Sequence, residues 1–297
     1  MQLSGLHFLL TYQCTFECDH CFVWGSPWQN GTFTLANLRQ VFRQAHDAGV
    51  TSVYFEGGEP FLYYAALLAA VREAHALGLE VGIVSNTYWA TSVDDALEWL
   101  RPLAGLVGDL SISSDLYHFS EQVSRQSRCA QAAAEQLGIP IGVISVARSG
   151  DAAGATGQLP TGESAVMYRG RAVEKLAGQA TLHPRDQFNT CPHEELRKPG
   201  RVHVDPFGEI HVCQGISLGN VLRGGRSLRE ICAAYDPDAH PIVGPLLAGG
   251  PAELARHYGL AHADGYADAC HLCYASRLAL RERFPDILTP DQAYGIM

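Results

Sequence analysis

An α/β fold built on a parallel sheet is the class this sequence predicts. Short runs rich in β-branched and aromatic residues recur along the first half of the chain, and stretches with helical spacing of apolar residues separate them. The runs are apolar throughout, as in strands buried on both faces by crossover helices. An apolar run at 6–10 opens the series. Thr34 then caps a helix whose apolar positions Leu35, Leu38, Val41, Phe42 and Ala45 recur at helical spacing, ending at Gly49. A strand at 51–56 follows, then a helix from about Phe61 to Gly78 with Leu67, Leu68, Val71 and Leu77 inward. Next come a strand at 79–85, a helix at 93–103, a strand at 106–113, a helix ending at Leu137 and a strand at 139–146. A sixth strand at 164–168 leads into a short helix from Arg171. Residues 149–162, rich in Gly, Ala and Thr, fall where another crossover helix belongs and read as a mobile loop.

Composition narrows the function classes. With 297 residues and 47% hydrophobic content the chain can bury a barrel-sized core plus an appendage. The formal charge is −10, from 31 acidic against 21 basic residues, and no basic run appears, which argues against nucleic acid as the main partner. No apolar run approaches the roughly 20 residues of a membrane span, and no basic segment precedes a cleavable one. Seven of the nine cysteines fall in metal-like spacings, so the chain reads as cytoplasmic, reduced, and holding thiols for metals.

Cys14-Thr-Phe-Glu-Cys18-Asp-His-Cys21 directly follows the first strand. Three thiols at this spacing sit on one loop that can curl around a single metal centre, and soft sulfur ligands select zinc, copper(I) or an iron–sulfur cluster. A zinc site closes with four ligands and a cubane cluster has four irons, so three local cysteines fit a cluster with one iron left open. A zinc knuckle completed by His20 is the alternative.

The C-x3-C-x2-C spacing after a first strand resembles the radical S-adenosylmethionine (radical SAM) superfamily. The resemblance implies a 4Fe–4S cluster on Cys14, Cys18 and Cys21 whose open iron chelates the amino and carboxylate groups of SAM. An electron from the cluster then cleaves SAM to methionine and a 5′-deoxyadenosyl radical, which abstracts a hydrogen atom. It also implies an open, partial (β/α)6 TIM-like barrel with its chemistry at the carboxyl ends of the strands. One departure is His20 before the third cysteine, where the family often has an aromatic residue; Phe22 follows it. Gly57-Gly58-Glu59-Pro60, after the second strand, matches the family's GGEP motif, which contacts the SAM amino group. Glycines let backbone approach a ligand and a carboxylate accepts from an ammonium, although a plain turn has the same composition.

Ser85-Asn86-Thr87 and Ser111-Ile-Ser113-Ser114-Asp115 close the third and fourth strands, and the resemblance assigns Asn86 and Ser113 to the SAM ribose and carboxylate. Helix capping is the competing reading, strongest for Ser114 and Asp115. Asp115, Tyr117 and His118 are candidates to hold a substrate group or relay a proton, against a purely local hydrogen-bond network. Arg169 and Arg171, flanking Gly170, are candidates for gripping a substrate carboxylate, against a solvated salt bridge.

A composition shift near His183-Pro184 divides the chain into a barrel region, 1–182, and a second region, 183–297. A hairpin with strands at 201–205 and 209–213 turns at Pro206-Phe207-Gly208 and places Cys213 at its end. Gly208 and Cys213, then Leu218-Gly-Asn-Val221 and Ser227-Leu-Arg-Glu-Ile231, resemble the SPASM and twitch extensions of radical SAM enzymes. Cys270-His-Leu-Cys273 opens a helix running to Phe284. With Cys191 and Cys213 they make a four-thiolate set, too few for the seven cysteines of a full SPASM domain, so the resemblance implies a twitch-like hairpin/helix extension with one auxiliary 4Fe–4S cluster. A structural zinc site is the alternative, and His193 or His271 lies near enough to replace a thiolate. Cys129 and Cys232 fall on apolar helix faces and are read as buried free cysteines.

These features imply an enzyme that cleaves SAM reductively, served by a flavodoxin- or ferredoxin-like electron donor, and modifying a peptide or protein oxidatively. Dehydrogenation of a small molecule is the nearer alternative, and a non-catalytic zinc-binding interaction protein the remote one. Only five residues precede Leu6, so no leader-peptide-binding module is expected ahead of the first strand.

Overall fold

The computed structural model describes residues 1–120, 124–147 and 163–296. Six strands run parallel in sequential order: β1 (Gly5–Thr11), β2 (Ser52–Gly57), β3 (Glu80–Ser85), β4 (Asp109–Ser113), β5 (Ile141–Val146) and β6 (Glu163–Ser164). Three more, β7 (Arg201–Val204), β8 (Glu209–Cys213) and β9 (Ile216–Asn220), continue the sheet past β1. β7 joins β1 in parallel, and β8 and β9 fold back antiparallel. The order β6-β5-β4-β3-β2-β1-β7-β8-β9 leaves the sheet open, with β6 and β9 at its edges.

Strand alternation sorts the side chains. Leu6, Phe8 and Leu10 of β1 and Val53 and Phe55 of β2 pack outward under the helices in the main core. Helix α1 (Leu35–Asp47) covers them with Leu38, Val41, Phe42 and Ala45, its first turn closed by Thr34 Oγ1 accepting from Asn37 N at 3.2 Å. The rings of Phe42 and Phe55 lie 5.1 and 5.5 Å from that of Phe8. Burying each such side chain contributes about 1.5–3 kcal/mol. The opposite set, including His7, Tyr54 and Glu56, faces the inside of the barrel. Gly82 of β3 is glycine for that reason, since a Cβ there would stand 2.2 Å from the Tyr54 ring.

Helices α2 (Tyr64–Ala76), α3 (Val93–Leu100) and α4 (Arg125–Leu137) are the remaining long crossovers, and α5 (Arg171–Lys175) is short. The stretch predicted as helix from Phe61 begins instead as a 3-10 turn, Pro60–Tyr63. The sixth strand is shorter than predicted. Only Glu163 and Ser164 pair with β5, because Val166 and Tyr168 turn into a small cluster with Ala172 and Leu176, and Tyr168 N donates to Asp268 rather than to a neighbouring strand. The loop predicted at 149–162 lies outside the described residues.

Beyond the predicted hairpin come β9, then α6 (Leu228–Ala234), the helix that carries Cys232, and α7 (Val243–His257), which the sequence reading did not set out, before α8 (Ala269–Leu280). Helix α7 is broken at Gly249-Gly250-Pro251, where Gly250 takes φ +66° and a Cβ would collide with Thr190 N at 2.3 Å. Val212, Ile216, Ile242, Val243, Leu246, Leu254 and Tyr274 form a second core around these elements.

Candidate metal centres and cofactor cavity

The cysteine loop leaves the end of β1 and is pinned to itself. Tyr12 N donates to Gly31 O at 3.0 Å, Cys14 N to Ser26 O at 3.0 Å, and Cys21 N to Cys18 O at 3.0 Å. Arg171, buried, donates from its two terminal nitrogens to Cys18 O at 2.9 Å and Gly25 O at 2.8 Å, while its backbone N–H reaches Cys21 O at 2.9 Å. Two donors are aimed at sulfur: Gly25 N at Cys21 Sγ, 3.1 Å, and Asn86 Nδ2 at Cys14 Sγ, 3.5 Å. Burial pushes the Cys14 thiol up to about 12 and the Cys18 thiol well above its ordinary range, with the neighbouring Cys21 raising both. Thiols that resist ionisation this strongly become ligands when a metal supplies the opposing charge.

Gly57 and Gly58 are dictated by that loop. A Cβ at Gly57, φ +134°, would sit 2.4 Å from Thr11 O, and one at Gly58 1.9 Å from Gln13 O. Gly58 N and Glu59 N donate to these same carbonyls at 2.7 and 2.8 Å. Glu59 is fully buried and its carboxylate is engaged internally. Oε1 accepts from Phe61 N at 3.0 Å and Ser85 Oγ at 2.9 Å, and Oε2 from Asn86 N at 2.7 Å. Burial pushes its pKa up to about 7 against the pull of those bonds. Gly57, Gly58, Asn86 and Ser113 border one cavity of about 270 Å³ together with Cys14, Cys18 and Cys21; Glu59 does not. Its side chain fastens the end of β2 to the end of β3, and what faces the cavity is the glycine backbone beside it.

Asp115 is buried at the end of β4 and accepts from Tyr117 N at 2.9 Å, His118 N at 3.2 Å and Val146 N at 3.2 Å. His118 Nδ1 lies 2.8 Å from Asp115 Oδ1. Burial works to raise the Asp115 pKa, but the His118 hydrogen bond and charge hold it below the usual carboxylate value. His118 borders the cavity and Asp115 does not, so the carboxylate orients the imidazole toward the cavity. The His20 ring lies 5.2 Å from that of His118 and 4.6 Å from that of Tyr117, and burial pulls the His20 pKa down to about 4.

Arg169 and Arg171 are committed elsewhere than to a substrate carboxylate. Arg169 donates to Glu194 at 3.1 Å and Cys213 Sγ at 3.5 Å, and its guanidinium lies 4.9 Å from the centre of the Phe22 ring. Between the two arginines, Gly170 at φ +61° packs so closely that a Cβ would sit 2.6 Å from Cys21 O. The tripeptide 169–171 therefore lies between the first cysteine loop and the second set.

That second set converges. Cys191, Cys213 at the end of β8, and Cys270 and Cys273 on one face of α8 border a common cavity with Arg169, His193, Glu194 and Arg277. Asp268 caps α8, accepting from His271 N at 2.7 Å. Burial raises the thiol pKa of Cys191, sets that of Cys270 well above its ordinary value, and pushes that of Cys273 up to about 12. Arg277, which the sequence reading missed, is anchored by Gln214 O at 2.6 Å and adds a second guanidinium beside these sulfurs. Ligand atoms of His193, Asp268 and Cys270 lie within 4.8 Å of one another, whereas His271 Nδ1 accepts from Ala267 N. Cys232 is buried in the main core and Cys129 packs against it, as expected of free thiols.

Residues 8–134 match the family model described as the Radical SAM superfamily. This segment is a radical SAM domain. A Bacillus subtilis (strain 168) protein named for peptide biosynthesis, YydG, is 28% identical over 111 residues, covering 37% of this chain and 35% of that protein. The S-adenosylmethionine-dependent nucleotide dehydratase of Fibrobacter sp. (strain UWH6) is 25% identical over 130 residues, covering 40% of this chain and 36% of the other. The matches thus span about a third of either curated relative. The histidine-tagged anSMEcpe with bound AdoMet superposes with a TM-score of 0.56 at 12% identity over 100% of both chains, a likeness of fold.

In the radical SAM domain the donor set fits a cluster with one open iron. Two buried thiols and the half-buried Cys21, two N–H groups directed at sulfur and an adjoining cavity floored by glycine backbone are what such a cluster and SAM require. No helix among the described residues is long and apolar enough to cross a membrane.

Proposed function

We propose that the chain is a radical SAM enzyme that modifies a peptide or protein oxidatively. Cys14, Cys18 and Cys21 would hold the first 4Fe–4S cluster, with SAM over Gly57, Gly58, Asn86 and Ser113. When bound, cluster and SAM supply one-electron reduction and hydrogen-atom abstraction. Cys191, Cys213, Cys270 and Cys273 would hold one auxiliary 4Fe–4S cluster in a twitch-like second domain, 183–297, appended to the barrel, 1–182. His118, set by Asp115, borders the cavity and would exchange a proton with substrate, with Tyr117 near His20 beside it. Arg169 moves from candidate substrate ligand to a contact of the auxiliary sulfurs, through its bond to Cys213 Sγ. An external flavodoxin- or ferredoxin-like protein would deliver the electron.

The single observation that carries this reading is the convergence of two cysteine sets on the two sides of residues 169–171, one against the cofactor cavity and one beside it. A peptide substrate is favoured by the likeness to YydG, and the likeness to the nucleotide dehydratase makes a small molecule the second reading. Anaerobic reconstitution should load about eight irons, and replacing Cys14, Cys18 and Cys21 together should leave about four in a brown protein. A colourless triple variant holding zinc would overturn the auxiliary cluster. Cys273→Ala should keep release of 5′-deoxyadenosine and lose oxidised product, with circular dichroism and SAM binding as fold controls. Acceleration of deoxyadenosine release by candidate precursor peptides, or by nucleotides instead, separates the two substrate classes.

A further inference from the structure

Three side chains inside the barrel have no part in either cysteine set. His7 of β1, Glu56 of β2 and His203 of β7 come from three neighbouring strands, with β1 in the middle. Register brings them together: His7 stands opposite His203 on one side and opposite Tyr54 on the other, and Glu56 lies two residues beyond Tyr54 on the same face. Their ligand atoms all fall within 4.8 Å of one another. His203 Nε2 is 3.0 Å from Glu56 Oε1, and His7 Nδ1 is 3.4 Å from Glu56 Oε2. The three side chains are only 11–15% exposed.

These are short ion-pair contacts, and against the cost of burial the two histidines hold the Glu56 carboxylate well below its usual range, but their alignment is poor. His7 Nδ1 and Glu56 Oε1 are buried and neither has a partner in hydrogen-bonding geometry, despite the nitrogen and oxygen within 3.4 Å of them. Two imidazoles and a carboxylate suit zinc and iron(II). Bonds to zinc of 2.0–2.2 Å place neighbouring ligand atoms roughly 3.0–3.5 Å apart around the ion, the range of the two contacts above. The scaffold is rigid: the His7 ring is stacked on Tyr54 at 4.9 Å, and both histidines sit within paired strands.

We propose that His7, Glu56 and His203 bind one divalent transition-metal ion inside the barrel. Glu56 also borders the cofactor cavity, directly before Gly57. Three protein ligands leave a coordination position open, as in catalytic rather than structural zinc sites. An ion held there presents that position to an oxygen of whatever molecule enters the cavity. The set uses no cysteine, so it stands whether the thiols hold clusters or zinc.

The test uses full-length protein with its cysteine sets loaded anaerobically, exposed to zinc and desalted. Wild type should retain one zinc more than His203→Ala. X-ray absorption at the zinc edge should show nitrogen and oxygen scatterers at about 2.0–2.1 Å and no sulfur at about 2.3 Å. Glu56→Gln, which keeps shape and removes the charge, should weaken zinc binding at least tenfold while circular dichroism and iron loading of the cysteine sets stay at wild-type levels. Equal zinc retention in wild type, His203→Ala and Glu56→Gln, or a first shell of sulfur alone, overturns the site and leaves the three residues as an ion-paired network.

Discussion

Replacing Arg171 separates a structural role from the substrate-binding one that its sequence position suggests. Its guanidinium spans Cys18 O and Gly25 O, two carbonyls on opposite limbs of the cysteine loop. Hydrogen bonds involving a charged group contribute about 1.5–3 kcal/mol each, so Arg171→Leu removes roughly 3–6 kcal/mol of restraint and leaves two carbonyls without donors. Arg171→Lys offers a compact ammonium in place of a fork and keeps about half of that. In urea unfolding of the cluster-free proteins the order should be wild type, then Lys, then Leu. After reconstitution the Leu variant should hold about four irons rather than eight, because the first loop no longer presents its thiols together. An Arg171→Leu protein with wild-type stability and full iron, defective only in the KM for substrate, would refute the reasoning and return Arg171 to the role of carboxylate ligand.

Other expectations follow from the same geometry. Gly58→Ala puts a methyl 1.9 Å from Gln13 O, so iron uptake by the first loop should fail, whereas Gly49→Ala, in open space at φ +82°, should lose only about 1 kcal/mol; normal iron in Gly58→Ala would contradict the packing. Glu59→Gln has one acceptor oxygen for three donors, so urea unfolding at pH 8 should report a loss of about 1–3 kcal/mol; a pure loss of SAM affinity would instead place the side chain on the SAM ammonium. The depressed pKa of Asp115 contributes stability that is present above its unfolded value of about 3.8 and lost as pH falls through the folded value. Asp115→Asn should therefore be destabilised at pH 6, with a penalty that shrinks below pH 4; a constant penalty down to pH 3 argues against an ionised carboxylate.

How much of this was legible beforehand depends on the range of the interactions. α1 was readable because Thr34 and the Leu38, Val41, Phe42, Ala45 spacing are local, and the four distant cysteines were readable because thiols in pairs have few other uses. α7 was not, since Gly249-Gly250-Pro251 is a break signal in one dimension and a close packing against Phe188 to Thr190 in three. The direction of Glu59 was hidden because its partners, Ser85 and Asn86, belong to another strand. Arg169 and Arg171 read as substrate ligands or solvated ion pairs and Arg277 drew no reading, because nothing near them in sequence announces the carbonyls and sulfurs they meet. His7, Glu56 and His203 acquire a relation only through the register of β2, β1 and β7.

The seat of β1 in the middle of the sheet bears on how the chain is made. One of its edges is filled early by β2, but the other waits for β7, some 196 residues later. Until those residues leave the ribosome, the most apolar strand, with Leu6, Phe8 and Leu10, carries a row of unpaired N–H and C=O groups of the kind that recruits foreign strands. A contact that distant in sequence also forms slowly. Synthesis of this protein therefore includes a period in which a nearly complete barrel is open along its innermost seam, and chaperone dependence and aggregation during expression should track the time taken to reach residue 204.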